Sequence, residues 1–262
     1  MFLVVSCCFF STASACSTMR DDMTAQPKYK RVLLKLSGES LCEPGRGGIQ
    51  ASAVDAAVKE LLPALELGVQ VSLVVGGGNI FRARDLAGDP NILRVTADYM
   101  GMLGTVINAL ALRDAIEGRG RQAVVMSAIP MPTVCEPLNR RDAIRHLEAG
   151  RVVLFAAGTG SPFFTTDTSA ALRASEIGAD LLVKATKVDG VYDCDPMTNP
   201  GARKHDRLTY AQALQQGLAI MDQAAFALCA DNRIPLVVCR LMDAGNLVKV
   251  LTGRHVGTLI TS

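Results

Sequence analysis

The stretch from Arg151 to Asp180, RVVLFAAGTGSPFFTTDTSAALRASEIGAD, constrains this chain more than any other. Val152 to Ala157 is an apolar run of the length of a buried strand. Gly158-Thr159-Gly160-Ser161-Pro162 follows. Its glycines let a ligand approach the backbone, and its hydroxyls can bond to anions. Thr165-Thr166-Asp167-Thr168 then precedes the apolar-periodic run Ala170 to Ile177, and Thr and Asp are helix N-cap residues. A strand, a glycine-hydroxyl loop and a helix N-terminus hold phosphate well, because free N–H groups and the positive end of the helix dipole face the anion. Asp167 would repel a bare phosphate there, so its use runs through a lysine or a metal ion. The same residues also describe an ordinary strand-turn-helix with a good cap. This stretch by itself does not choose between the two.

Two further strands end in glycine. Val32 to Leu36 runs into Ser37-Gly38-Glu39, with Lys35 inside the apolar run. A lysine there either snorkels outward or meets an anion. The Ser-Gly that follows favours the anion, since ligands of open α/β sheets bind at the C-terminal ends of the strands. Val69 to Val75 runs into Gly76-Gly77-Gly78-Asn79, with Arg82 a turn later. Its planar guanidinium suits phosphate oxygens. Ile92 to Ile116 carries the longest helical pattern. Asp98 near its start reads as an acceptor for sugar hydroxyls or as a solvated first-turn acid. Gly101 and Gly104 inside it cost about 1 kcal/mol each against alanine and call for close packing.

The remaining chain alternates in the same way. Helices are expected over Ala51–Leu67 (kinked or cut short at Pro63), Glu136–Leu147, Thr209–Gln216, Met221–Ala230 and Asn246–Leu251. Strands are expected over Ala123–Met126, Leu181–Ala185, Leu236–Cys239 and Gly257–Thr261. Ala83–Asn91 reads as a loop, and Met197–Asp206 as a polar, mobile segment. Thr186 to Pro196 mixes a basic residue, acids, glycine and an aromatic. It suits a base and ribose, or a plain surface excursion. The alternation predicts an α/β fold with a mostly parallel sheet and helices on both faces.

Composition narrows the function. A net charge of +2 points to no nucleic-acid partner. No run is read as long enough to span a membrane, so a soluble body is expected. GxxxxGK[ST] and GxGxxG are both missing, against a P-loop enzyme and a dinucleotide dehydrogenase. The eight cysteines show no CxxC pair and read as free thiols in a reducing compartment. MFLVVSCCFFSTASAC looks like a secretory or lipoprotein signal but lacks the basic n-region. Translation from Met19 or Met23 is therefore expected, with residues 1–28 unstructured or absent and residues 29–262 forming one domain.

LLKLSGE (Leu33–Glu39), VVGGGNIFR (Val74–Arg82), DYMGMLGTVINALALRDA (Asp98–Ala115), AGTGSPFFTTDT (Ala157–Thr168), KATKVDGVYDCDP (Lys184–Pro196) and GTLIT (Gly257–Thr261) resemble the bacterial uridylate (UMP) kinases, in order and spacing, from about Tyr29 onward. KLSGE and GGGN belong to the wider amino acid kinase superfamily. TGxPFFTTD with DxMGML is specific to the uridylate enzymes. The resemblance implies a three-layer αβα sandwich, amino acid kinase-like, that transfers a phosphoryl group from ATP to UMP with Mg²⁺ carried by ATP. It assigns Lys35, Leu36, Ser37, Gly38, Gly78 and Arg82 to the ATP phosphates, and Thr186, Tyr192 and Asp195 to its base and ribose. It assigns Gly77, Asp98, Thr159, Gly160, Ser161, Pro162, Phe163, Phe164, Thr165 and Thr166 to UMP. Lys35, Arg82 and Asp167 are the implied catalytic residues. A cytoplasmic homohexamer with GTP as activator and UTP as inhibitor is implied as well. Ser161 stands where the family has Asn, and Ala97 where it has Gly. The loop Glu43–Gly48 differs in composition from the family's effector-linked segment.

The acceptor phosphate has a second pKa of about 6, so it is already ionised at neutral pH and needs no general base. A site of lysine, arginine and glycine amides without histidine fits that demand. A carboxylate kinase for acetylglutamate or aspartate would share KLSG and GGGN without needing the hydroxyl loop or Asp98. A nucleotide sensor or a metal-oxyanion storage protein on the same fold would not need Lys35, Arg82 and Asp167 together.

Overall fold

The computed structural model describes residues 26–43, 45–82, 91–241 and 243–262. The expectations for residues 1–25 and for the loop at 83–90 lie outside these. Among the described residues the strands are β1 (Arg31–Leu36), β2 (Gln70–Val75), β3 (Ala123–Ser127), β4 (Glu136–Pro137), β5 (Val152–Ala156), β6 (Leu181–Ala185), β7 (Val191–Tyr192), β8 (Lys204–His205), β9 (Arg207–Thr209), β10 (Leu236–Cys239) and β11 (Thr258–Thr261). The helices are α1 (Ala51–Glu66), α2 (Arg94–Glu117), α3 (Arg140–Glu148), α4 (Thr166–Ile177), α5 (Tyr210–Gln215), α6 (Gln223–Asp231) and α7 (Asn246–Leu251), with a 3₁₀ turn over Gly38–Leu41.

Nine strands form one sheet in the order β4-β3-β5-β2-β1-β6-β10-β11-β9. All neighbours are parallel except β10 and β11. Strand pleating then sorts the core. Val32, Leu34, Leu36 and Val183 pack with α1, α2 and α7, whereas Leu33 and Leu182 pack with α3, α4, α5 and α6. This is the expected three-layer sandwich.

β1 lies between β2 and β6, so the chain leaves it first to one side and later to the other. That reversal opens a crevice at the C-terminal ends of the strands. The β1–β6 junction is clamped by Asp180, whose Oδ2 accepts the backbone N–H groups of Lys30 and Arg31 at 2.8 Å each.

Several expectations are corrected. α1 runs through Pro63 to Glu66. The proline removes one backbone donor on a half-buried flank, while Leu61 and Ala64 keep the core face continuous. Glu136 and Pro137 are an edge strand beside β3 and not the first turn of a helix. α3 starts at Arg140, where Asn139 Oδ1 accepts from the N–H groups of Arg141 and Asp142. Lys204 and His205, read as part of a polar, mobile segment, pair antiparallel with Tyr192 and Val191. α2 has 24 residues and a most apolar window of mean hydropathy 1.3, which meets the length and composition of a membrane span. Here it lies on the sheet, with Val106, Ala109, Leu112 and Ile116 in the core.

Candidate functional site

The crevice is built from the loops after β1, β2, β5 and β6. Only glycine fits where the first two meet. A Cβ on Gly38 would stand 2.3 Å from Asn79 Oδ1 and 2.4 Å from the Gly76 carbonyl oxygen. Asn79 and Asn108 exchange side-chain amide bonds of 3.0 and 2.7 Å, and Asn108 Nδ2 donates to Gly76 O at 2.7 Å. This buried pair fixes the β2 turn beneath the open backbone of Gly77 and Gly78.

Lys35 and Lys184 are opposite one another in the β1–β6 register. The pleat turns both toward α4. The N-cap Thr165 Oγ1 accepts the Asp167 and Thr168 N–H groups, which places Asp167 in the first turn of that helix. Asp167 Oδ1 is then 2.7 Å from Lys35 Nζ, and Oδ2 accepts from Lys184 Nζ at 2.6 Å. All three side chains are only 13–14 % exposed. Burial pushes the Asp167 carboxyl up, but the two ammonium groups outweigh it and hold it below the usual carboxylate range. Burial dominates at Lys184 and leaves it below the usual lysine range, against the attraction of Asp167.

Arg82 caps the open side of the cradle. Its Nε donates to Gly78 O at 2.8 Å, and its guanidinium pairs with Glu39. Lys187 Nζ lies 2.7 Å from the other oxygen of Glu39. Four cations are thus held in two ion-paired groups: Lys35 and Lys184 on Asp167, Arg82 and Lys187 on Glu39. Among the described residues no group of three or more His, Cys, Asp or Glu could hold a metal ion.

Two cavities adjoin the lysine pair, one lined by Lys184 and the other by Thr166, next to Asp167 in the chain. One, of about 480 Å³, is lined by Thr186, Tyr192 and Asp195 with Gly190, Leu218 and Ile220. Tyr192 Oη donates to Asp189 at 2.6 Å, which lowers the Asp189 carboxyl and raises the phenol. The other, of about 140 Å³, is lined by Gly77, Gly78, Asp98, Thr159, Phe164 and Thr166, among others. The backbone of the loop after β5 is left-handed at Ala157 and Gly158, both at φ 59°, and at Gly160, φ 82°, and Gly158 lines the cavity.

The sequence-derived residues are therefore brought together with one division. Thr159, Phe164, Thr165 and Thr166 line the smaller cavity, whereas Gly160, Ser161, Pro162 and Phe163 do not. Gly78, assigned to the ATP phosphates, faces that smaller cavity. Ser161 closes a local turn, its N–H donating to Thr159 Oγ1 at 3.2 Å. Ala97 is buried. Sequence reasoning left out Lys184, Glu39, Lys187 and Asp222. Asp222 accepts the Thr165 and Thr168 hydroxyls at 2.5 and 2.9 Å and caps α6 through Ala225 N–H. The signal for Lys184 was present: LLVKA repeats the apolar-then-lysine pattern of LLKL.

The chain is similar to several known proteins. The family described as the amino acid kinase family matches residues 30–240. A uridylate kinase of Xanthomonas euvesicatoria is 55 % identical over 232 residues, covering 88 % of this chain and 96 % of that one. A uridylate kinase of Legionella pneumophila is 51 % identical over 242 residues, covering 92 % and 98 %. Among solved structures, a UMP kinase from Bacillus anthracis superposes with a TM-score of 0.86 at 40 % identity, covering 89 % of this chain and 96 % of that one. One from Ureaplasma parvum does so with 0.84 at 33 %, covering 90 % and 100 %.

Proposed function

Since the chain belongs to the amino acid kinase family, among its uridylate kinases, we infer that it transfers the γ-phosphoryl group of ATP to UMP, giving ADP and UDP. It is a phosphotransferase with a phosphate acceptor, and its product serves pyrimidine nucleotide biosynthesis. The observation that carries the reading is the Asp167-bridged lysine pair adjoining two cavities of unequal size.

In this reading the larger cavity takes the adenosine of ATP, with Thr186, Tyr192 and Asp195 around base and ribose. The smaller takes UMP, with Asp98 toward the ribose hydroxyls and the hydroxyl loop around the nucleotide. Both phosphate chains point at the cradle. Bringing two anions into line is the main barrier, and positioned charge is the main remedy. Lys35 and Lys184 sit where charge grows on the transferred phosphoryl oxygens. Arg82 closes over them. Asp167 positions both lysines through its two oxygens and takes no proton from the acceptor, which is already ionised. Removing one such fixed donor typically costs about 3 kcal/mol, on the order of a hundredfold in rate.

Mg²⁺ is proposed to enter on ATP. The single carboxylate Asp167 and the surrounding cations suit an ion held mainly by phosphate oxygens, where it neutralises their charge. A homohexamer, GTP activation, UTP inhibition, a cytoplasmic location and one domain over residues 29–262 complete the proposal. The stripe Val95, Tyr99, Leu103 and Ile107 on the outer side of α2, 39–47 % exposed, supports self-association. The end of the loop Glu43–Gly48 is tied to the cradle, since Gly48 N–H donates to Asn79 O and Asn79 Nδ2 to Gly48 O.

The test is ADP release from Mg-ATP with UMP, CMP, dUMP, N-acetylglutamate and aspartate, each with and without GTP. Turnover confined to UMP is expected, with Lys35→Met falling about a hundredfold. Turnover on a carboxylate would move the chain to a sister kinase. Binding without turnover would make it a sensor.

A further inference from the structure

The cavity assigned to the acceptor is small. At about 140 Å³ it lies below the roughly 300–1,000 Å³ of typical small-molecule sites. Asp98 lines it, and its carboxylate is already engaged by other donors. Arg94, one helical turn earlier, points Nε at both oxygens of Asp98, at 2.9 and 3.0 Å. The Phe163 N–H donates to Oδ2 at 2.9 Å. The Arg94 guanidinium lies 5.8 Å from the centroid of the Phe163 ring. Phe163 is 65 % exposed and holds φ at 70°, a left-handed conformation costly for a side chain of its size. The hydroxyl loop is thus strapped to α2 by a carboxylate only 12 % exposed, under an arginine 63 % exposed.

We propose that Arg94 sets the affinity for the acceptor by competing with its ribose for Asp98. The inference rests on the reading of Asp98 as the ribose acceptor. An ionised carboxylate accepts but does not donate, and it has about four acceptor sites; Arg94 and the Phe163 N–H already take up most of them, which leaves too few for a pair of ribose hydroxyls. Entry of UMP releases Arg94 and the Phe163 amide from Asp98, the loop swings off α2, and the strained Phe163 backbone relaxes. The observed affinity is then the intrinsic one divided by the cost of undoing the latch. With Arg94 mostly exposed, that cost matches a partly exposed ion pair, about two- to fivefold in binding.

The experiment is calorimetric titration of UMP into the full chain and into Arg94→Gln, Arg94→Lys, Asp98→Asn and the double variant, with KM for UMP and for ATP measured in parallel. Arg94→Gln should lower Kd and KM for UMP two- to fivefold and leave KM for ATP where it was. Arg94→Lys, which keeps the charge but not the fork, should fall between. Asp98→Asn should weaken UMP, and adding Arg94→Gln to it should bring no gain. Unchanged or weaker UMP binding in Arg94→Gln overturns the latch. Unchanged binding in Asp98→Asn overturns the acceptor assignment of Asp98 instead. The first result without the second leaves the kinase reading standing and removes only the latch.

Discussion

Lys35 and Lys184 are two like charges placed side by side by strand register, and Asp167 is what makes that placement tolerable. Removing its charge should cost more than removing one lysine. Asp167→Asn leaves two ammonium groups largely buried with no countercharge, a loss of about 3 kcal/mol by comparison with broken buried pairs. Urea unfolding of Asp167→Asn and Asp167→Asn/Lys184→Met is expected to show the double variant recovering part of the loss. The same electrostatics fixes the pH dependence. Asp167 titrates below the usual carboxylate range, so its stabilising charge is complete above about pH 4 and is lost only as pH falls through its lowered pKa. The acid limb of kcat/KM for UMP should therefore fall near pH 6, with the second ionisation of the acceptor phosphate. A limb displaced below the usual carboxylate range would mean that Asp167, and not the acceptor, limits the rate.

At the level of elements, α2 shows how two glycines with one sequence signature differ. A Cβ on Gly104 would stand 3.2 Å from the Gly77 carbonyl oxygen and 3.3 Å from Ile80 Cβ, whereas one on Gly101 would meet nothing within 4 Å. Gly101→Ala should add about 1 kcal/mol of helix stability, raise Tm by about 2–4 °C and raise KM for UMP, since Gly101 lines the smaller cavity. Gly104→Ala should lower Tm by pushing the helix off the β2 turn. Thermal unfolding of the pair decides it. Local pattern made the elements legible. Apolar runs mark seven of the nine strands of the sheet, all but the short β4 and β9, and Thr165, read as a cap, caps α4. What local pattern cannot carry is register and strand order. LLVKA marks Lys184 as LLKL marks Lys35, but their pairing depends on β6 lying beside β1 and is written in neither run. The short β7–β8 hairpin has two residues per strand and no period to read. Pro63 misled because the cost of a lost donor is small beside a continuous buried face.

For the whole molecule, the outer stripe of α2 is the feature that a lone chain does not explain. Its residues fall four apart on the side facing away from the sheet, which suits a face buried against another copy. Sedimentation should show a species larger than the monomer. Ile107→Glu should shift it toward smaller species, with Tm becoming dependent on protein concentration in the wild type and less so in the variant. A wild-type monomer would remove the proposal for this face.

The Asp180 clamp has a bearing on how the molecule comes into being. It joins residues 149 positions apart, and the two lysines of the cradle meet only once that junction has closed. Pairings so distant in the chain are the slow ones. Helices and outer strands can form while the cradle is still in halves, so in refolding from urea the return of phosphoryl transfer should trail the return of helical circular dichroism. A nascent chain that has not yet released its β6 segment has the glycine loops and no working centre, and it turns over no ATP until synthesis is nearly done.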